Sequence, residues 1–169
     1  MRALTLAACL AGCGTATPQT QDGHLAEFRF VVPSGWKKHQ VNAGSREVSR
    51  WVPESNDGKE SISLIRTALR SDVHTRDSAA LLELLGDAQR SLPHGQFGQA
   101  SRLSTSNGMR TLVVAGDFEP AGTTHRYHRV HALVIDGSAV VHVLYTAETP
   151  DPDLKVFHAV VDSLHREEG

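Results

Sequence analysis

From His125 to Thr146 the chain presents two β-rich runs on either side of Asp136-Gly137. An Asp-Gly pair between such runs is the strongest short-range hairpin signal. With Asp136-Gly137 as a two-residue turn, Val134 faces Ala139, Ala132 faces Val141 and Val130 faces Val143. That face is small and wholly apolar. The other face carries Leu133, Ile135, Val140 and Leu144, with His131 directly opposite His142. Both faces are largely apolar, so both need cover, and helices elsewhere in the chain can provide it.

The same patterning predicts the remaining elements. Phe28, Phe30 and Val32 alternate within Glu27 to Val32, a strand ended by Pro33-Ser34-Gly35. Glu47 to Val52 and Ser61 to Arg66 read as two further strands around a turn at Asn56-Asp57-Gly58. Leu81, Leu84, Leu85, Ala88 and Leu92 recur at helical spacing behind a cap at Asp77 or Ser78, and Pro93 stops that helix. Gln99 to Thr105 is a weakly apolar strand, Asn107-Gly108 a turn, and Arg110 to Phe118 the next strand, so that a meander of four strands ends at Thr146. Pro150-Asp151-Pro152-Asp153 starts a last helix with Leu154, Phe157, Val160, Val161 and Leu164 on one stripe. Three strands, a helix, four strands and a helix predict an α+β fold in a single domain.

The first twelve residues stand outside that pattern. Met1-Arg2 is a short basic start, and Ala3 to Leu10 is an apolar run too short to span a bilayer. The run ends in Leu10-Ala11-Gly12-Cys13, which resembles the lipobox of bacterial lipoprotein precursors. The resemblance implies a signal peptide over residues 1–12, cleavage before Cys13, a diacylglycerol thioether on its sulfur and acylation (palmitate) of its amine. Residues 13–24 then read as a lipidated flexible tether, because Gly14 to Gly23 is polar and aperiodic. Residues 25–169 read as the folded domain. The expected address is the extracytoplasmic face of the cell envelope. In a cell with two membranes, the absence of Asp at Thr15 favours the outer one.

Charge and cysteine content narrow the reading. Of the 169 residues, 17 are Lys or Arg and 19 are Asp or Glu; without Arg2 the balance is 16 against 19, or −3. That is no footprint for nucleic acid. Cys9 leaves with the signal and Cys13 carries lipid, so the mature domain relies on its core rather than on a disulfide.

Phe28-Arg29-Phe30-Val31-Val32-Pro33-Ser34-Gly35-Trp36, the meander with its Gly-turned hairpin, and the closing Val160-Val161-Asp162-Ser163-Leu164 together resemble the PsbP-like family. The likeness is to its envelope lipoproteins of the DcrB and LpqN kinds. It implies a three-layer α/β/α sandwich around a mostly antiparallel sheet, with Trp36 in the core. It further implies a non-catalytic binding or assembly module with an envelope protein partner, and no catalytic residues to transfer.

Candidate chemistry rests on the ten histidines. On a strand, His125 and His131 share a face about 20 Å apart while His128 points away, so this triplet is not one metal site. His131 and His142 form a better pair, since directly opposed residues have Cβ atoms about 5 Å apart. Two readings stay open: the pair binds a transition metal, which calls for a third or fourth ligand, or it is a packed pair beneath a helix. His158, Asp162 and His165 share one stripe of the last helix and read as a solvated face. No nucleophile motif of the Gly-x-Ser-x-Gly or His-Glu-x-x-His type occurs, which leaves a hydrolase as the alternative class rather than the expectation.

Overall fold

The computed structural model describes residues 19–41, 44, 46–55, 58–68, 78–137, 139–149 and 151–167. Cys13 and the signal residues lie outside the described residues, as do residues 14–18 of the expected tether, Asp77 and Pro150. The elements run β1 (Thr20–Leu25), β2 (Phe28–Pro33), β3 (Trp36–His39), β4 (Glu47–Pro53), β5 (Glu60–Ala68), α1 (Ser78–Arg90), β6 (Gln96–Phe97) and β7 (Ser101–Leu103). They continue with β8 (Arg110–Phe118), β9 (Tyr127–Asp136), β10 (Ala139–Ala147), α2 (Lys155–Ser163) and β11 (His165–Arg166). The fold is α+β, with two antiparallel sheets and two helices among the described residues.

The large sheet has the order β3-β4-β5-β10-β9-β8-β6, with β7 also paired to β8, and every pairing is antiparallel. Its two faces follow the alternation along β9 and β10. Val130, Ala132 and Val134, with Val141, Val143 and Tyr145, point into the main core. That core is closed by Phe157, Val160 and Val161 of α2, by Leu164 at its C-cap, and by Phe28, Phe30 and Val32 of β2. On the opposite face Leu133, Ile135 and Val140 pack with Leu112 and Val114 against Leu81 and Leu85 of α1. The apolar stripes of both helices are therefore buried on the sheet, the arrangement that removes most apolar surface from water. Trp36 is buried in the main core.

A small sheet of order β1-β2-β11 shares the main-core side with α2. This corrects the expectation of a tether as far as residue 24. Thr20–Leu25 is a strand, paired with β2 from Thr20↔Pro33 to Leu25↔Phe28. Only Gly23 and Leu25 are buried along it, so its apolar signal is nearly silent. Gly23 is needed because a Cβ there would stand 2.4 Å from the Phe30 ring. Three more boundaries differ. Of the expected strand Gln99 to Thr105 only Ser101–Leu103 (β7) is a strand, and an unexpected short strand, β6, precedes it; both lie along β8. The last helix begins at Lys155 rather than at Pro150, with Leu154 as N-cap. His165–Arg166 adds a strand to β2 beyond α2.

The hairpin register is a further correction. Asp136 pairs with Ala139, so Asp136 belongs to the strand and is not one of the two loop residues. Gly137 takes φ +56°, the backbone that the first loop position of a tight hairpin demands. Asp136 stays in the strand, where its Oδ2 lies 3.0 Å from Arg166 Nε of β11. The pairing shifts by two residues, so each side chain keeps its face. His131 now opposes Leu144, and His142 opposes Leu133.

Candidate functional site

The α1-covered face of the large sheet is only partly covered. Across β5, β10, β9 and β8 the register sets Ile65, His142, Leu133 and Leu112 in one row, and Ser63, Leu144, His131 and Val114 in the next. The row after that is Ser61, Thr146, Arg129 and Gly116. Helix α1 packs on Leu112, Val114 and Leu133, and among the described residues none of α1 lines the cleft that holds Ser61, Thr146 and Arg129. The histidines mark the border, and beyond them lies an open cleft of about 500 Å3.

His131 and His142 are diagonal rather than direct neighbours, yet they meet. Diagonal positions lie within reach of aromatic side chains. The rings stack with centroids 5.3 Å apart and an interplanar angle of 27°. His131 Nε2 and His142 Nδ1 are 3.1 Å apart, so one donates to the other. His131 is 1 % exposed. Burial, then the neighbouring His142 and Arg129, push its pKa down to about 3. Burial, then Arg46, lower that of His142 to about 4. Both imidazoles are neutral at pH 7, the state in which one nitrogen donates and one accepts. Among the described residues no group of three His, Cys, Asp or Glu is placed to hold a metal ion.

The other candidate histidines take separate partners. His128 Nδ1 lies 2.8 Å from Asp117 Oδ1 across the β8-β9 register. His125 pairs with Glu148. His158 stands edge-on to Phe157, Asp162 accepts a hydrogen bond from the Ser106 amide, and His165 Nδ1 lies 2.8 Å from the Ser163 carbonyl.

The cleft itself was not anticipated. Arg129 lines its floor beside the hydroxyls of Ser61, Ser63 and Thr146. Its guanidinium stacks 4.5 Å from the Phe118 ring centroid and donates through Nε to Thr146 Oγ1 at 3.1 Å. Phe118, Pro120 and Tyr127 form one wall, and Arg50 and Gly58 the facing rim. Burial lowers the Arg129 pKa. The signal available in the sequence was parity: Arg129 lies two residues from His131, on the same face of a largely apolar strand. What the sequence did not show is where the cover of α1 ends.

Solved structures share this architecture. The solution structure of cyanobacterial PsbP (CyanoP) from Synechocystis sp. PCC 6803 matches with TM-score 0.62 and 16 % identity, over 96 % of this chain and 99 % of that one. LpqN, involved in cell envelope biogenesis of Mycobacterium tuberculosis, matches with TM-score 0.60 and 15 % identity, over 86 % and 89 %. The Ran-binding protein Mog1p of Saccharomyces cerevisiae matches with TM-score 0.60 and 10 % identity, over 89 % and 96 %. No family model and no curated protein matches the chain. The chain thus has a PsbP-like fold, and likeness at these identities concerns the fold.

Proposed function

We propose that this chain is a membrane-anchored lipoprotein of the bacterial cell envelope, held on the extracytoplasmic face by lipid on Cys13. Its domain serves as a non-catalytic binding or assembly module for an envelope protein partner. We read its layers as an α/β/α sandwich, with α1 on one face of the large sheet and α2, beside the small sheet, on the other. The anchor rests on the lipobox-like Leu10-Ala11-Gly12-Cys13. The envelope reading gains support from the fold shared with LpqN.

The observation that carries the binding reading is the open cleft on the half of the sheet that α1 leaves bare. Its polar groups are guanidinium and hydroxyl, the kind that hold a ligand. The nearest imidazoles bond to each other rather than to a hydroxyl they could activate. Crosslinking in intact cells followed by mass spectrometry tests this. A binding module yields a reproducible envelope partner. Turnover of a substrate that vanishes on changing one cleft residue would overturn the non-enzymatic reading.

A second reading, a metal-binding or pH-responsive envelope protein, draws on the 3.1 Å contact between His131 and His142. Acid titration, together with zinc calorimetry on the wild type and His142→Ala, tests it. Zinc binding lost in the variant supports a ligand pair, and equal binding favours a packed one.

A further inference from the structure

The uncovered half of the large sheet poses an electrostatic question. Arg129 is half-buried, and its contacts are the Phe118 ring and one hydroxyl, neither of which carries charge. Among the described residues no carboxylate pairs with it. Arg50, on the opposite rim of the same cleft, likewise has no described carboxylate partner. Three other arginines are paired: Arg66 with Glu27 at 2.9 Å, Arg126 with Asp117 at 3.3 Å and Arg166 with Asp136 at 3.0 Å. A guanidinium held out of bulk water without a counter-charge is costly, and a bound anion removes that cost. Its planar fork fits carboxylate and phosphate oxygens in pairs.

We propose that the cleft floored by Arg129 and rimmed by Arg50 binds an organic oxyanion, a phosphate or carboxylate carried on an apolar or aromatic body. The oxyanion sits against the two guanidinium groups, with Ser61, Ser63 and Thr146 offering hydroxyl donors. The body lies along Phe118, Pro120 and Tyr127. A cleft of about 500 Å3 is of the size that takes small molecules. A neighbouring depression lined by Lys37, His39, Pro53 and Glu54 shares Arg50 and Gly58 with it; Lys37 there is paired with Glu54 at 3.5 Å, so among the described residues Arg50 is the unpaired cation of the shared rim.

The position of this rim bears on where the anion comes from. The described residues begin at Gln19, whose carbonyl accepts the Ser34 amide at 2.9 Å. The next residue, Gly35, accepts the Glu54 amide at 2.8 Å, and Glu54 lines the depression that shares Arg50 with the cleft. Gln19 and the rim that holds Arg50 therefore adjoin. Under the anchored reading, on which this step rests, the cleft faces the membrane side of the domain, where the oxyanion is the headgroup of an anionic lipid. A soluble metabolite offers the same chemistry.

The test uses the full chain with Cys13→Ser, so that no anchor tethers it to vesicles. Phenyl phosphate and benzoate are titrated against wild-type protein, Arg129→Gln and Arg50→Gln, with neutral benzyl alcohol as control, by calorimetry and amide chemical shifts. The expected result is one saturable site for the anions in the millimolar range or tighter. Arg129→Gln should weaken it about ten-fold or more, as loss of a charge-assisted fork does. Arg50→Gln, at an exposed position whose loss leaves the core intact, should weaken it several-fold. Equal affinity for benzyl alcohol, unchanged affinity in both variants, or no saturable anion binding would each overturn the proposal. Displacement of phenyl phosphate by phosphatidylglycerol vesicles but not by phosphatidylcholine vesicles assigns the site to a lipid headgroup. Retention of phenyl phosphate in both cases assigns it to a soluble ligand. Partner crosslinking is read out separately, so failure here leaves the assembly-module reading standing.

Discussion

At the scale of single residues the histidine pair carries a definite pH signature. In an unfolded chain both imidazoles titrate near 6.5. In the fold, burial holds His131 at about 3 and His142 at about 4. Below pH about 6.5 the unfolded chain therefore takes up protons that the folded pair refuses. The contribution to stability is complete above that pH and is lost as the pH falls toward 4 and then 3. Denaturant titrations at pH 7, 6, 5 and 4.5 should show stability dropping by up to roughly 1.4 kcal/mol per pH unit for each proton refused. The double variant His131→Leu/His142→Leu, which keeps apolar volume on that face, should show a shallower slope across the same window. An identical slope would mean that other groups set the acid limit. That the two histidines share a face was legible from alternation, which survives a register shift of two. Their stacking through a diagonal was not, because it depends on which residues enter the turn. Arg129 was overlooked for a different reason: a charged residue on a strand gains meaning only once the edge of the covering helix is known.

At the scale of elements, one side chain shows how a turn can serve two neighbours. Asn107 lies between β7 and β8, where the sequence indicates a simple Asn-Gly turn. Its Nδ2 also donates to the carbonyls of Val161, at 2.9 Å, and Leu164, at 2.8 Å, at the end of α2. Its Oδ1 accepts the Met109 amide at 3.0 Å. The last carbonyls of a helix lack partners within it, so Asn107 supplies from the meander what α2 cannot supply itself. Asn107→Ala should cost about 1–3 kcal/mol in denaturant unfolding, the range for stranding partly buried polar groups. A change within about 0.5 kcal/mol would place the cap elsewhere. No sequence signal marks this link, because its partners lie more than fifty positions away. The elements that were legible are those with dense apolar periodicity: Arg110–Phe118 runs between its expected bounds, and both faces of the hairpin hold the residues assigned to them. The missed strands are short or polar. β3 shows one buried residue, Trp36, followed by three exposed ones, and β11 is two exposed residues held by pairing to β2. For such segments partners decide the structure rather than pattern.

At the scale of the whole molecule, the strand at Thr20–Leu25 bears on the proposed anchor at Cys13. A tether through Gly23 would allow the domain to stand about 35 Å from its lipid. With β1 paired to β2 from Thr20 onward, only seven peptide steps separate Cys13 from the fold, at most roughly 25 Å when fully extended. A short leash orients as well as retains, because it favours presentation of the Gln19 end, and the basic rim beside it, toward the bilayer. This depends on Cys13 being the anchor. In metabolic labelling with a palmitate analogue, the wild-type chain should take up label, shorten by the signal residues and partition into detergent with the envelope fraction. Cys13→Ala removes the only thiol that the lipobox-like sequence places at the cleavage point, so labelling should disappear and the unshortened precursor should accumulate. The folded domain should be unaffected, since the core begins at Gly23 and Leu25, beyond the substitution. Equal far-ultraviolet circular dichroism of the two purified chains checks that point. Normal shortening of the Cys13→Ala chain would show that an ordinary secretory peptidase acts here, and the membrane-facing geometry would fall with the anchor.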